Sequence, residues 1–199
     1  MPKQERAERT RLAILDAAAA EFDAYGYEGA RLDRIIERTD ATKGAVYFHF
    51  PSKLDIAKAL VEQKYTNWPV IVAEVTGTGL RGIAAAEEIT QRVGRVFATD
   101  VRVRAAMKLS QSVLPPPADD NPYDKWVELI AVFLVQEIGE GSEAEATEIA
   151  TVAVHSFFGS YMIAHELGRL RTLKEDIARM WKVLAASVKE RQAASSSTQ

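Results

Sequence analysis

Residues 32–50 read LDRIIERTDATKGAVYFHF, and the spacing of apolar residues in this stretch decides the fold. Leu32, Ile35 and Ile36 recur at the three-and-four interval that places them on one face of a short helix. Thr39, Asp40 and Ala41 interrupt the pattern, and Asp tolerates the left-handed backbone that a sharp turn often needs. Thr42 opens a second short helix, which Pro51 closes. Two helices joined by so short a turn cross steeply, and the second stands proud of the surface. A helix presented in this way fits the DNA major groove and leads with its N-terminal residues.

The residues on that helix suit the groove. Thr42 can cap the helix or donate to a phosphate, and Lys43 can reach guanine O6 and N7 or a phosphate. Gly44 has no side chain, so the backbone can approach DNA, and Ala45 beside it is also a candidate contact. Tyr47 and His49 add donors on the next turn, and Lys53 adds a charge at the start of the following helix. Phe48 and Phe50 read as core aromatics.

Working outward, Leu15, Ala18, Ala19 and Phe22 mark a preceding helix that stops near Gly26. Before it, Lys3, Arg6, Arg9 and Arg11 outnumber Glu5 and Glu8, a locally positive and flexible arm of the kind that finds phosphates. Downstream, Ser52 with Asp55 forms a shortened capping box for a fourth helix that reaches Trp68, where Pro69 bends or ends it. Gly77, Gly79 and Gly82 mark a loop. Helical spacing resumes over 83–97 and 101–113, and prolines 115–117 and 122 then break the chain. Trp126, Leu129, Ile130, Phe133 and Leu134 form the next apolar stripe. Ser142 with Glu145 reads as a capping box for a helix that is apolar nearly all round over 149–164 and so needs covers on both sides. A last helix carries Leu173, Ile177, Met180, Trp181, Leu184 and Val188, and residues 193–199 read as a disordered tail. No stretch alternates as a strand would. The reading is an all-α chain with a DNA-binding domain over 1–55 and a larger helical domain over 56–192.

Composition narrows the function. The 199 residues are 47% hydrophobic and carry a net charge of −3, which suits a protein touching a short DNA site with one end better than one coating nucleic acid. There is no cysteine, so a disulfide framework and a thiolate zinc site are both excluded. The N-terminal charges have no apolar run behind them, and the longest lightly charged stretch is too short and polar to span a bilayer. A cytoplasmic address is expected. His155 and His165 do not share a helix face, and no HExxH, GxSxG, GxxxxGK[ST] or GxGxxG motif occurs. No metal, no cofactor and no enzymatic activity are expected. Lys64 is a weak candidate partner for an anionic ligand group.

The stretch GYEGARLDRIIERTDATKGAVYFHFPSK resembles the DNA-binding domain of the TetR family of repressors. It departs from the family pattern at Ala30 and Arg31, where Thr is usual, and at Asp40, where Gly is usual. Arg31 then exchanges a cap for a further phosphate contact. The resemblance implies a homodimer on a palindromic operator. A fainter likeness, in Pro122 to Trp126 and in Val154 to Gly159, is to the γ-butyrolactone receptors and pseudo-receptors of actinobacteria. It implies a ligand pocket at Trp126, with Phe158 opposite where those proteins have a hydroxyl. The pocket residues expected are Trp126, Ile130, Phe133, Val154, Phe158 and Met162. The dimer residues expected, on the last two helices, are Phe157, Tyr161, Met180, Trp181 and Leu184. The implied function is a repressor released from DNA by a small lipophilic signal. A multidrug-sensing regulator, a pseudo-receptor without ligand response and, least favoured, a small helical-bundle enzyme are the rivals.

Overall fold

The computed structural model describes residues 3–63, 68–117, 119 and 121–196. Among them every regular element is helical: α1 (Lys3–Gly29), α2 (Leu32–Glu37), α3 (Lys43–His49), α4 (Lys53–Gln63), α5 (Trp68–Gly77), α6 (Gly82–Thr99), α7 (Val101–Ser112), α8 (Pro122–Ile138), α9 (Glu143–Glu166), a 3-10 turn (Leu170–Thr172) and α10 (Leu173–Ser196). Lys64 and residues 197–199 lie outside the described residues. Helix α10 continues to Ser196, into the stretch expected to be a disordered tail.

Local chemistry explains most boundaries. Gly26 breaks α1 with φ 67° and ψ −178°, a backbone region essentially reserved for glycine. Arg6, Arg9 and Arg11 therefore sit on a helix that starts at Lys3, and not on the flexible arm expected. Thr42 caps α3 by accepting the Ala45 N–H at 3.2 Å. Ser52 accepts the Asp55 N–H at 3.2 Å and donates to its carboxylate at 2.7 Å, the expected shortened box. Ser142 departs from expectation: it makes no cap bond and donates to the Gly139 carbonyl. Pro69 stands in the first turn of α5, where its missing N–H costs no helical hydrogen bond. It opens a helix there and does not end one.

The chain divides into two compact units, residues 1–67 with 99–116, and residues 68–98 with 117–199. The first is larger than the 1–55 read from the sequence because α4 and α7 share its core. Ile14, Leu15, Phe22, Ile35, Val46, Phe50, Ile56, Leu60, Ala105 and Leu109 are buried together there. Salt bridges tie α7 to α1, from Arg102 to Asp16 at 2.6 Å and from Arg104 to Asp23 at 2.9 Å. The hydrogen bond from Arg102 to Asp16 holds that guanidinium above its already high pKa.

The second unit packs α8 and α10 against α9. The buried residues of α9, from Ala146 through Ile149, Ala153, Phe157 and Tyr161 to Ala164, form one stripe, so its core covers a single face of the helix. Trp181, fully buried on α10, donates its indole N–H to Thr90 Oγ1 of α6 at 2.7 Å. A methyl group on Gly94 would collide with Ile177, so α6 and α10 approach closely only because residue 94 has no side chain. No helix among the described residues is long and apolar enough to cross a membrane.

Candidate nucleic-acid interface

Helix α3, at seven residues, makes about two turns. Val46 anchors it in the core, Ala45 and His49 are half-buried, and Lys43, Gly44, Tyr47 and Phe48 form its exposed arc. At 100° per residue these four run around the helix in the order Lys43, Tyr47, Gly44, Phe48. Gly44 has an ordinary helical φ, and a Cβ built there meets nothing within 4 Å. Neither backbone conformation nor internal packing calls for a glycine, although glycine weakens a helix relative to alanine by roughly 0.5–1 kcal/mol. Phe50 is buried as expected, but Phe48 is not: it is 82% exposed, held edge-on to His49 with ring centroids 5.4 Å apart. The run Tyr47-Phe48-His49-Phe50 does not reveal which ring faces inward, and the helix turns Phe48 out.

The expected contacts around α3 sort unevenly. Thr42 is committed as the cap, and Ala45 gives its N–H to that cap. Lys43 and Tyr47 are exposed. Lys53 is not a free surface charge: Nζ donates to the carbonyls of Tyr27 at 2.7 Å and Ala30 at 3.0 Å and lies 4.4 Å from the Tyr27 ring centroid. It ties α4 to the chain that leaves α1.

Arg31 is exposed and precedes α2 without a side-chain cap. The cap is supplied from α1 by Glu21, a carboxylate with no exposed surface that accepts the Arg31 N–H at 3.3 Å. Glu21 also pairs with Arg34 at 3.4 Å and Arg38 at 3.6 Å, and those guanidiniums reach it from the surface. A buried carboxylate is tolerable only when paired in this way. Sequence reading missed Glu21, although one acid within the apolar run of residues 17–22 was a signal for it.

Residues 14–60 match the family model for bacterial regulatory proteins, tetR family. The chain is 32% identical to the A-factor receptor protein of Streptomyces griseus over 197 residues, covering 94% of this chain and 67% of that protein. It belongs to the TetR family. Solved structures agree. CprB from Streptomyces coelicolor, in complex with its biological operator sequence, superposes with a TM-score of 0.75 at 29% identity, covering 90% of this chain and 88% of that one. A gamma-butyrolactone receptor described as ArpA-like does so with a TM-score of 0.67 at 27% identity, covering 89% and 98%. This TetR-family chain is thus a transcriptional regulator similar to gamma-butyrolactone receptors, and the relatives it matches are regulators and not enzymes.

In this TetR-family chain the second unit is rich in touching rings. Trp68 stacks on Phe97 with centroids 5.8 Å apart and planes 8° from parallel, and Trp126 meets Trp68 edge-on at 5.8 Å. Phe158 meets Phe97 at 6.0 Å and Tyr123 at 4.8 Å. Trp126 and Phe158, expected to face one another, are thus bridged by Trp68 and Phe97. Ile130, Phe133 and Val154 are buried, whereas Met162 points outward and is 53% exposed, so it lines no interior. Three residues expected at a dimer contact, Phe157, Tyr161 and Trp181, are buried within their own unit. Met180 and Leu184 are half-buried. The large apolar side chains that α9 and α10 leave exposed include, beside Met162, Val152, Ile163 and Val183, with Leu167 exposed just past the end of α9.

Proposed function

We propose that this regulator is a repressor that binds a palindromic operator as a homodimer and leaves it when a small lipophilic signal, such as a γ-butyrolactone, enters the second unit. The carrying observation is the exposed arc of α3, where an unrequired glycine sits between Tyr47 and Phe48 and beside Lys43. A helix surface with a cation, a phenol and a bare backbone suits close approach to base edges and phosphates. Arg31, exposed at the start of α2, adds a phosphate contact, and His49 supports the arc from behind.

The homodimer rests on the uncovered face of α9. Val152 and Ile163 flank Gly159, where a Cβ would meet nothing within 4 Å, and Val183 stands exposed on α10. Two such faces brought together form a four-helix contact that buries them, and the two-fold symmetry matches an inverted repeat. This replaces the buried Phe157, Tyr161 and Trp181 as the interface.

The effector site is the ring cluster reached through Trp126, which is half-buried, with Ile130, Phe133, Val154 and Phe158 behind it. Aromatic walls with few polar groups suit a mostly apolar ligand held by one or two hydrogen bonds. The close ring contacts of Trp68, Phe97 and Phe158 favour one second reading, a pseudo-receptor that binds DNA without ligand response. A mobility-shift titration on the operator, with and without γ-butyrolactones of graded acyl length, separates the two. Release supports the first reading and unaltered binding the second; failure to bind any DNA overturns both.

A further inference from the structure

We propose that Phe48 reads thymine, by packing its exposed ring against the C5-methyl group of one thymine in each half-site. This rests on the DNA-binding reading of α3 and specifies what one edge of its exposed arc recognises.

Phe48 is the most exposed large hydrophobic side chain among the described residues, at 82%. A phenylalanine exposed to that degree gains nothing from the protein's own core and leaves an apolar ring in water. Its ring is also not free to lie anywhere, since it meets the His49 ring edge-on at 80°, and His49 is half-buried against the body of the unit. The ring is braced on the protein side and open on the other.

Its position selects the occupant. Phe48 shares the exposed arc with Lys43, Gly44 and Tyr47, a surface with a cation at one border and the ring at the other. A nucleic-acid groove satisfies the cation, and the thymine methyl is the apolar group that base edges present in the major groove. The minor groove offers no counterpart, and a phosphate would gain nothing from the ring. The bare backbone at Gly44 lets α3 sit deep enough for the ring at 48 to reach the groove floor.

The test uses the full chain and the duplex that the wild type enriches from a random library. Each thymine is replaced in turn by uracil, which pairs identically and lacks only the methyl group. Wild type should lose about fourfold in affinity at one thymine per half-site, the ~0.8 kcal/mol of one buried methyl group at 1.4 kcal/mol per tenfold. F48A should bind the thymine and uracil duplexes alike at that position while keeping the thermal stability of the wild type. F48L, which keeps apolar bulk, should retain part of the preference. A wild type that enriches an operator but shows no uracil effect, or an effect that F48A preserves, overturns the proposal alone. A wild type that enriches no sequence overturns the DNA-binding reading with it.

Discussion

Replacing Gly44 by alanine separates two demands that most substitutions confound. The helix φ is ordinary and the space around a Cβ is empty, so alanine fits without strain. It should stabilise the chain by about 0.5–1 kcal/mol, the glycine penalty in a helix. In a protein of this length that raises Tm by roughly 1–4 °C. Operator binding should move the other way. If the α3 backbone lies in van der Waals contact with DNA, the added methyl group must be accommodated in a packed interface. Overpacking of that kind costs about 1–3 kcal/mol, which is roughly five- to 150-fold in Kd. Differential scanning calorimetry gives the first quantity and fluorescence anisotropy on a labelled operator the second. A variant that melts higher and binds as tightly as wild type refutes the clearance argument, and one that melts lower refutes the reading of open space.

Four further substitutions follow from the same geometry. Ile163→Glu, at a position 54% exposed, should leave the fold intact and shift the chain to a monomer in light scattering, with operator binding lost. Phe157→Glu should instead destabilise the chain by more than about 3 kcal/mol, because it buries an unpaired charge, and denaturant melts will distinguish the two. Trp181→Phe removes the indole bond to Thr90 and should cost about 1–3 kcal/mol without changing operator affinity once folded. Trp126→Ala should preserve DNA binding and abolish release by an active γ-butyrolactone in a mobility-shift assay; release at the wild-type concentration would place the pocket elsewhere.

How much of this was legible depended on whether the decisive contacts are local in sequence. The α2–turn–α3 motif, the Thr42 cap and the Ser52–Asp55 box involve neighbours, so periodicity and capping rules reached them. Lys53 was misread as a free charge because its partners are main-chain carbonyls of Tyr27 and Ala30, which no side-chain pattern marks. Helix α5 escapes the sequence reading because a proline there is taken to bend or end a helix, although a helix accepts proline in its first turn. The apolar residues of α9 run around the whole helix, so the sequence could not say which face the chain itself buries. The structure assigns Phe157 and Tyr161 to the core and leaves Val152 and Ile163 exposed. Phe48 is the same problem on a short helix, where one residue of register separates core from surface.

The most direct measurement is enrichment of random duplex DNA by the purified 199-residue chain, followed by sequencing of the bound pool. A dimer presenting two copies of the α3 arc predicts an inverted repeat, with half-site centres one helical turn or a multiple apart. The same selection with Lys43→Ala should enrich it more weakly. An unchanged pool, or a single motif without two-fold symmetry, would contradict the account.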